Sequence, residues 1–272
     1  MANDTARPRA LVTGASSGIG RAFSERLARE GYDLVLVARR RERLEELAGV
    51  VAKHGAGAEI ISADLASHGD LAATERRAAA GDVAMLVNNA GFQNYMPFAE
   101  ADPDRIEAQI AVQVTAPVRL ARAALPGMLK RKSGAIVNVS SMLALSAGVD
   151  NPVLPKRATY SACKAYLNAF SELLARELAG TGVKVQALCP GVVRTEFHDL
   201  DGRPAALRPK VPLLEPDDVV QASIAALALG DVVVVPTIGD RALYDREREG
   251  RNGLFGAGFK PTLAERYAAK PG

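Results

Sequence analysis

Short apolar runs alternate with longer amphipathic stretches along most of the chain. Short apolar runs bounded by turn residues are typical of buried parallel strands, and apolar residues at helical spacing are typical of helices that pack on them. This alternation is the pattern of βαβ units, in which each helix leads the chain to the next parallel strand. We therefore predict an α/β fold, a doubly wound parallel sheet of about seven strands with helices on both faces.

The predicted strands are Ala10–Thr13, Asp33–Ala38, Glu59–Ser62, Val83–Asn88, Ala135–Ser140, Lys184–Leu188 and Val232–Val235. Helices are predicted at about Gly18–Glu30, Arg40–Val51, Pro103–Lys130, Thr159–Ala179 and Val219–Leu229. The third of these helical regions is long, and we expect Pro117 and Pro126 to break it.

The chain shows no internal repeat and no Ser/Gly-rich linker. We therefore predict a single domain over residues 8–272, preceded by a flexible N-terminus at residues 1–7. Three stretches have a weak pattern: Ala147–Lys156, His198–Pro212 and a C-terminal tail at residues 239–272 whose role the sequence leaves open.

Composition removes several classes of function. The chain has 272 residues, with 48% apolar and 24% charged side chains, which is an ordinary globular balance. Its net charge of +3 is small and evenly spread, so we predict no nucleic-acid partner. No apolar run approaches the roughly 18 residues of a membrane span, and the first residues lack the apolar core of a signal peptide. Together with only two cysteines, this predicts a cytoplasmic protein.

A glycine-rich turn, Thr13–Gly20, lies between the first predicted strand and the first predicted helix. Glycines allow a tight turn and let the backbone approach a pyrophosphate, while the helix N-terminus offers free N–H groups. The alternative is a flexible turn, but this position favours nucleotide binding in a Rossmann-type fold. The residues predicted to bind the cofactor here are Gly14, Ser16, Ser17, Gly18, Ile19 and Gly20.

The end of the second strand indicates which dinucleotide is bound. An acid at this point recognises the 2′-hydroxyl of NAD, but here the strand runs into Arg39, Arg40 and Arg41. Guanidinium groups pair well with a 2′-phosphate. The alternative is a solvated basic helix start, which the helix dipole disfavours. We predict NADP(H), with Arg39 and Arg40 among its ligands.

Tyr160 and Lys164 are four residues apart in a predicted helix, so they share one face. A phenol has a pKa of about 10, which is high for proton exchange at neutral pH. A nearby ammonium group favours the phenolate, so we expect Lys164 to lower the pKa of Tyr160. Tyr160 could then act as a general acid or base on a carbonyl or an alcohol.

Five motifs occur in chain order on the predicted elements: Thr13–Gly20, Asn88–Gly91, Ser140–Ser141, Tyr160–Lys164 and Pro190–Gly191. Together they resemble the short-chain dehydrogenase/reductase family over about residues 8–236. The resemblance implies that Ser141, rather than its neighbour Ser140, holds the substrate oxygen. It also implies that Lys164 bonds the nicotinamide ribose. Both Tyr160 and Lys164 are therefore expected to contact cofactor as well as to act in catalysis.

The resemblance further assigns residues to the two ends of the cofactor. It implies that Asp64 and Asn88 line the adenine side, although Asp64 could be a turn residue and Asn88 could brace the sheet. It places Pro190–Thr195 beside the nicotinamide, with Val193 and Thr195 nearest the carboxamide. The remaining expected cofactor ligands are Leu65, Asn89, Ala90, Gly91, Pro190 and Gly191.

The chain departs from the family pattern at two points. Gln113 stands where the family usually has a catalytic Asn, which anchors a water in the proton path to the Lys. Gln keeps the amide but has one methylene more than Asn, and this added carbon could displace or replace the water of the proton relay. Ser141 and Tyr160 are 19 positions apart, about six more than is usual. We expect the added residues, within Ala147–Arg157, to bulge over the active-site mouth. The alternative is a surface loop without a role.

The remaining candidates concern metals and substrate. The three histidines, His54, His68 and His198, show no ligand spacing, so we predict no metal site. A fairly lipophilic substrate is indicated by apolar groups in loops expected near the pocket: Phe92, Tyr95, Met96, Leu143, Leu154 and Phe197.

These observations predict an NADPH-dependent reductase of a ketone or aldehyde, or the reverse alcohol oxidation. Two alternatives stay open: altered chemistry on the same fold, such as imine reduction, epimerisation or cyclisation, and a non-catalytic nucleotide-binding module. The resemblance also implies a homotetramer or homodimer, formed through the helices at about 103–130 and 159–179.

Overall fold

The computed structural model describes residues 7–152, 154–198 and 212–267. The chain divides into two compact units, one ending at Pro236 and the other starting at Thr237. The single domain over residues 8–272 remains a prediction. The flexible N-terminus, most of the weakly patterned stretch after His198 and the end of the tail lie outside the described residues.

The first unit is built on a sheet of seven parallel strands in the order β3-β2-β1-β4-β5-β6-β7. The order reverses between β1 and β4, so the sheet is doubly wound, and the predicted fold class is confirmed. The strands are β1 (Arg9–Thr13), β2 (Asp33–Ala38), β3 (Ala58–Ser62), β4 (Val83–Asn88), β5 (Gly134–Val139), β6 (Val183–Leu188) and β7 (Val233–Val234).

The described helices are α1 (Gly18–Arg29), α2 (Arg41–Ala52), α3 (His68–Ala78), α4 (Pro103–Ile110), α5 (Ala116–Arg131), α6 (Ala158–Glu177), α7 (Pro216–Leu229) and α8 (Arg241–Ala257). The first seven belong to the first unit, and α8 lies in the second. Among the described residues, none of the helices is both long and apolar enough to span a bilayer.

Both faces of the sheet are covered because side chains alternate along each strand. Ala10 and Val12 of β1 pack into one core with residues of α1, α2 and α7. Leu11, between them, packs into a second core with residues of α3, α5 and α6 on the other face. A fully buried Leu or Val in these cores stabilises the fold by about 1.5–3 kcal/mol.

The long helical region differs from its prediction. Pro117 and Pro126 do not break it, so that expectation is wrong. Pro117 lies in the first turn of α5, directly after a π-helical turn. Packing of Leu120 and Met128 against the sheet holds α5 together across Pro126. The irregularity lies earlier, in a π-helical turn at Ala111–Thr115 that separates α4 from α5.

Two described helices, α3 and α8, were not predicted. In α3 only Leu71, Thr74 and Ala78 are buried, so its apolar periodicity is weak. Its start carries a usable signal, because the Ser67 side chain caps the backbone N–H of Asp70. In the second unit, Asp240 caps α8 in a similar way by accepting from the Ala242 N–H.

Candidate active site

A cavity of about 1090 Å³ opens at the carboxyl edge of the sheet, where the loops after β1 to β6 meet. This edge, at the point where the strand order reverses, is where open α/β sheets bind ligands. The cavity brings together nineteen of the twenty-two residues predicted for the site, and Gly20, Asn88 and Gln113 are the three that do not line it. Those that do are Gly14, Ser16, Ser17, Gly18, Ile19, Arg39, Arg40, Asp64, Leu65, Asn89, Ala90, Gly91, Ser141, Tyr160, Lys164, Pro190, Gly191, Val193 and Thr195.

The turn between β1 and α1 has the form of a phosphate cradle. Gly14 and Gly18 have φ values of 66° and 53°, which favour glycine over any residue with a Cβ. A Cβ on Gly14 would lie 2.7 Å from the Asn89 Nδ2 atom, so no side chain fits there. The N-cap Ser17 makes no side-chain cap bond, which leaves the first N–H groups of α1 available to an anion. The residues present therefore fit a dinucleotide pyrophosphate.

Gly20 and Asn89 support this turn from behind. A Cβ on Gly20 would overlap the carbonyl oxygen of Gly14 and lie 2.5 Å from Asn89 Nδ2. The Asn89 amide donates to the carbonyl oxygens of Thr13, at 3.0 Å, and Gly14, at 3.2 Å. Gly20 thus allows α1 to approach the turn closely, although it does not face the cavity.

The arginines after β2 have different positions. Arg40 Nη2 donates to the hydroxyls of Ser16, at 3.1 Å, and Ser17, at 3.0 Å. Arg39 is 69% exposed, and its Nη1 lies 4.0 Å from Asp64 Oδ2. Arg41 is paired with Glu45 along α2 and does not line the cavity. Two guanidinium groups, rather than the three in the sequence, therefore face the site.

Glu196 is a neighbour of these arginines that the sequence did not indicate. Its carboxylate accepts from Arg40 Nη1 at 2.9 Å and from Arg43 Nη1 at 2.6 and 2.8 Å. Hydrogen bonds from Arg43 and then Arg40 hold the pKa of Glu196 below its usual value. The segment after β6 is thereby tied to the start of α2.

Among the residues expected on the adenine side, Asp64 lines the cavity and also forms a turn. Its Oδ1 accepts from the Ala66 N–H at 3.0 Å. Asn88 is turned into the sheet, because its Nδ2 donates to Asn138 Oδ1 at 2.9 Å. Asn88 is 3% exposed, so its side chain braces β4 against β5 and does not line the cavity.

Ser141 and Tyr160 meet in the cavity, and Ser140 has a different role. Ser141 and Tyr95 line the cavity beside Tyr160, and both act as hydrogen-bonding neighbours that lower its pKa. The Ser140 hydroxyl instead donates to the Lys164 carbonyl oxygen at 2.9 Å and braces β5 against α6. This geometry agrees with the choice of Ser141 over Ser140 as the group nearest the acid.

Tyr160 and Lys164 share the buried face of α6, as their spacing predicts. The expected effect on the pKa is wrong. Burial raises the pKa of Tyr160 to about 12, while hydrogen bonds from Ser141 and Tyr95 oppose this rise. Burial also lowers the pKa of Lys164 to about 8. The Lys164 ammonium donates to the Val139 carbonyl oxygen at 2.7 Å and lies 5.7 Å from the Tyr160 ring centre, so it does not bond the phenol directly.

Gln113 is fully buried in the π-helical turn. Its Nε2 donates to the Phe92 carbonyl oxygen at 2.5 Å, and its Oε1 has no partner among the described residues. A Cβ on Gly91 would lie 3.5 Å from the Gln113 side chain and 3.7 Å from Lys164 Nζ, so the two groups flank the same glycine. The role of Gln113 in catalysis remains a prediction.

The added residues between Ser141 and Tyr160 contribute to the cavity. Leu154 and Pro155 line it, and Val153 lies outside the described residues. Arg157 anchors the end of this segment by donating to the hydroxyl and the carbonyl of Ser146 at 2.8 and 3.1 Å. The apolar groups expected near the pocket all line it except Met96: Phe92, Tyr95, Leu143, Leu154 and Phe197.

The remaining candidates are metal ligands and the two cysteines. Within the described ranges, no group of three or more His, Cys, Asp and Glu side chains is placed to hold a metal ion. Cys163 and Cys189 are buried and free, and burial raises the pKa of both thiols.

Comparison with known proteins finds a family model and several relatives that match most of the chain. A family model described as short chain dehydrogenase matches residues 8–203. The very-long-chain 3-oxoacyl-CoA reductase of Anas platyrhynchos is 33% identical over 227 residues, which cover 81% of this chain and 69% of the relative. The inactive hydroxysteroid dehydrogenase-like protein 1 of Pongo abelii is 35% identical over 225 residues. That alignment covers 81% of this chain but only 65% of the relative, so the chain spans less than two thirds of its length.

Two solved structures share nearly the whole fold. A short-chain dehydrogenase from Sphingobium yanoikuyae in complex with NADPH is 35% identical, with a TM-score of 0.88. The match covers 96% of this chain and 100% of that one. A bulky-bulky ketone specific alcohol dehydrogenase from Comamonas testosteroni is 29% identical, with a TM-score of 0.85, and the match covers 96% of this chain and 99% of that one.

Proposed function

Because this chain belongs to the short-chain dehydrogenase/reductase family, we propose that it is an NADPH-dependent reductase of lipophilic ketones or aldehydes, which also catalyses the reverse alcohol oxidation. One observation carries the proposal. Ser141 and Tyr160 line the same cavity at the carboxyl edge of the sheet, next to a glycine turn that fits a dinucleotide.

Residues around this cavity would hold the two ends of the cofactor. The glycine turn and the start of α1 would bind the pyrophosphate, and Lys164 would bond the nicotinamide ribose. The segment Pro190–Thr195 would lie beside the nicotinamide. When bound, NADPH supplies the hydride that adds to the carbonyl carbon.

The residues at the end of β2 favour NADP(H) over NAD(H). Arg40 Nη2 donates to the hydroxyls of Ser16 and Ser17, so a 2′-phosphate there would meet a guanidinium and two hydroxyls. It would share the Arg40 guanidinium with the Glu196 carboxylate, which accepts from Nη1. Arg39 has room to turn toward the same point, because it is 69% exposed. The solved relative from Sphingobium yanoikuyae, which is in complex with NADPH, supports this choice.

Replacing Arg40 with alanine should therefore weaken NADPH binding by about tenfold or more, because one charge-assisted hydrogen bond contributes about 1.5–3 kcal/mol. NADH binding should change little. The dissociation constants of both cofactors, measured by fluorescence titration, check this. Arg41→Ala is the matched control, since Arg41 is exposed and paired with Glu45. Equal losses for NADPH and NADH would contradict the assignment.

The acid–base chemistry follows from the burial of the site. With a pKa of about 12, Tyr160 is protonated at neutral pH and can give its proton to a substrate oxygen. Ser141 would hold that oxygen by donating its own hydrogen bond. A protonated tyrosine suits reduction, and this agrees with NADPH as the reduced cofactor in cells.

The walls of the cavity indicate the substrate class. Its apolar lining favours a fairly lipophilic ketone or aldehyde, with space for groups on both sides of the carbonyl. The bulky-bulky ketone specific relative from Comamonas testosteroni supports a substrate of this kind. A cytoplasmic location and a homodimer or homotetramer belong to the same proposal. The exposed Leu173 on α6 supports contact between copies.

A panel assay tests the function. Purified protein is mixed with NADPH or NADH and a series of aliphatic, aromatic and bulky ketones and aldehydes, while the reduced-nicotinamide absorbance is followed. We expect turnover of bulky ketones with NADPH and at least about tenfold lower kcat/KM with NADH. Binding of NADPH without turnover of any carbonyl would refute the reductase and leave the altered chemistries, such as imine reduction, and the non-catalytic nucleotide-binding protein.

The second candidate is a nucleotide-binding protein without catalysis, because a relative from Pongo abelii carries the name of an inactive protein. Against it, Ser141, Tyr160 and Lys164 are all present and brought together in this chain. The same assay separates the two, since only the first candidate consumes NADPH.

A further inference from the structure

A short loop after β4, residues 92–95, places Tyr95 beside Tyr160, the proposed general acid. We call it the β4 loop. Tyr95 lines the cavity, and its ring meets that of Tyr160 edge to face, with the ring centres 5.3 Å apart. As a hydrogen-bonding neighbour, Tyr95 also lowers the pKa of Tyr160. On another side, the ring of Phe197 lies 6.1 Å from that of Tyr160.

Three side chains spaced by four residues hold the β4 loop from one face of the helical segment 103–115. Arg105 Nη2 donates to the Gln93 carbonyl oxygen at 3.2 Å. Gln109 and Gln113 both donate to the Phe92 carbonyl oxygen, at 3.0 and 2.5 Å. This spacing places all three on one side of a helix, so the segment acts as a single support for the loop.

The other side of the β4 loop is attached to the segment after β6. The buried Gln93 side chain donates from Nε2 to the Phe197 carbonyl oxygen at 3.1 Å. The β4 loop is therefore held from two directions, by the helical segment 103–115 and by the segment after β6.

We propose that Tyr95 is a third hydroxyl of the acid–base site, which donates a hydrogen bond to the Tyr160 oxygen and stabilises the phenolate formed when Tyr160 gives up its proton. This rests on the proposed function, because it assigns Tyr95 a role in the same reaction.

The proton balance shows why such a hydroxyl is needed. The Tyr160 O–H bond breaks, a new O–H bond forms on the substrate oxygen, and the electron pair stays on Tyr160 as a phenolate. Solvent later returns the proton. Tyr95 keeps its own proton throughout and only donates a hydrogen bond. No oxidant or reductant is required beyond the reduced cofactor of the proposed function.

The other neighbours of Tyr160 are less able to carry this charge. In the proposed reaction, the Ser141 hydroxyl donates its hydrogen bond to the substrate oxygen and so no longer donates to Tyr160. The Lys164 ammonium lies 5.7 Å from the Tyr160 ring centre and donates to Val139. Tyr95 then supplies the remaining hydroxyl beside Tyr160, in a buried site where an unpartnered phenolate is costly.

Tyr95→Phe is the test variant, since it removes the hydroxyl and keeps the ring contact. Tyr166→Phe is the matched control, because Tyr166 is 44% exposed and stacks on Phe170. We expect Tyr95→Phe to lower kcat about tenfold with little change in KM. A kcat that stays at the level of the unchanged protein would overturn the proposal.

A second measurement does not depend on turnover. The protein is labelled with ¹³C at the tyrosine Cζ positions, and the Tyr160 resonance is assigned by its absence from Tyr160→Phe. We expect Tyr95→Phe to shift this resonance at neutral pH and Tyr166→Phe to leave it in place. A Tyr160 resonance that does not move overturns the proposal. A shifted resonance in a protein that reduces no carbonyl supports the hydrogen bond and places the failure in the proposed function.

Discussion

Replacing Tyr160 with phenylalanine is expected to lower the turnover of ketones by about 10²–10⁴-fold, the usual contribution of a positioned general acid. Phenylalanine keeps the ring and its contacts with Tyr95 and Phe197, at 5.3 and 6.1 Å, but carries no proton to donate. Binding of NADPH should be nearly unchanged, because the glycine turn and the arginines that would hold its phosphates belong to other segments of the cavity wall. Steady-state kinetics and a fluorescence titration of NADPH measure the two effects.

The control for this variant is again on α6. Tyr166→Phe makes the same chemical change on an exposed part of the same helix and should leave kcat unchanged. A Tyr160→Phe enzyme that retains more than about a third of its kcat would remove Tyr160 from the mechanism, since a general acid contributes far more than that. Equal loss of NADPH affinity and turnover would instead show that the variant damages the fold of the site.

Replacing Gly20 with alanine should weaken NADPH binding by about tenfold to a hundredfold. The added Cβ would overlap the Gly14 carbonyl oxygen and lie 2.5 Å from Asn89 Nδ2, so either α1 or the glycine turn must move. Overpacking of this kind costs about 1–3 kcal/mol. Its effect would fall on the turn that forms the phosphate cradle. Dissociation constants and thermal unfolding midpoints measure the loss.

Gly49→Ala is the matched control, because Gly49 also lies in a helix but a Cβ there meets no atom within 4 Å. Alanine has the higher helix propensity, so this variant should stabilise the protein by about 0.5–1 kcal/mol without changing NADPH affinity. If both variants bound NADPH as the natural chain does, close packing at Gly20 would not matter for the cradle.

Local sequence patterns were sufficient to predict features that a single stretch of chain determines, such as a strand or a helix face. The strand runs predicted all seven strands to within about two residues, because a buried parallel strand needs a continuous apolar segment. Tyr160 and Lys164 were placed on one helix face by their spacing alone. The helix α3 was missed because it buries few residues, although its Ser67 cap was visible in the sequence.

The electrostatics of the site depended on residues far apart in the chain. The sequence suggested that Lys164 would lower the pKa of Tyr160, but the folded chain buries both groups and raises it to about 12. The four-residue spacing shows that the two side chains lie on one face of the helix. It contains no information on how far that face is exposed to water in the folded protein. Desolvation is set by everything packed around the pair, so only the tertiary structure could decide its size.

The sequence by itself determined the doubly wound fold, the glycine turn, the basic end of β2 and the Tyr160–Lys164 pair, because each is written in a few adjacent residues. Only the tertiary structure decided that Asn88 faces the sheet, that Gln113 supports the β4 loop and that Tyr95 reaches Tyr160. These contacts join segments between 21 and 65 positions apart. Their geometry depends on how helices and loops dock on the sheet, which no local pattern along the chain encodes.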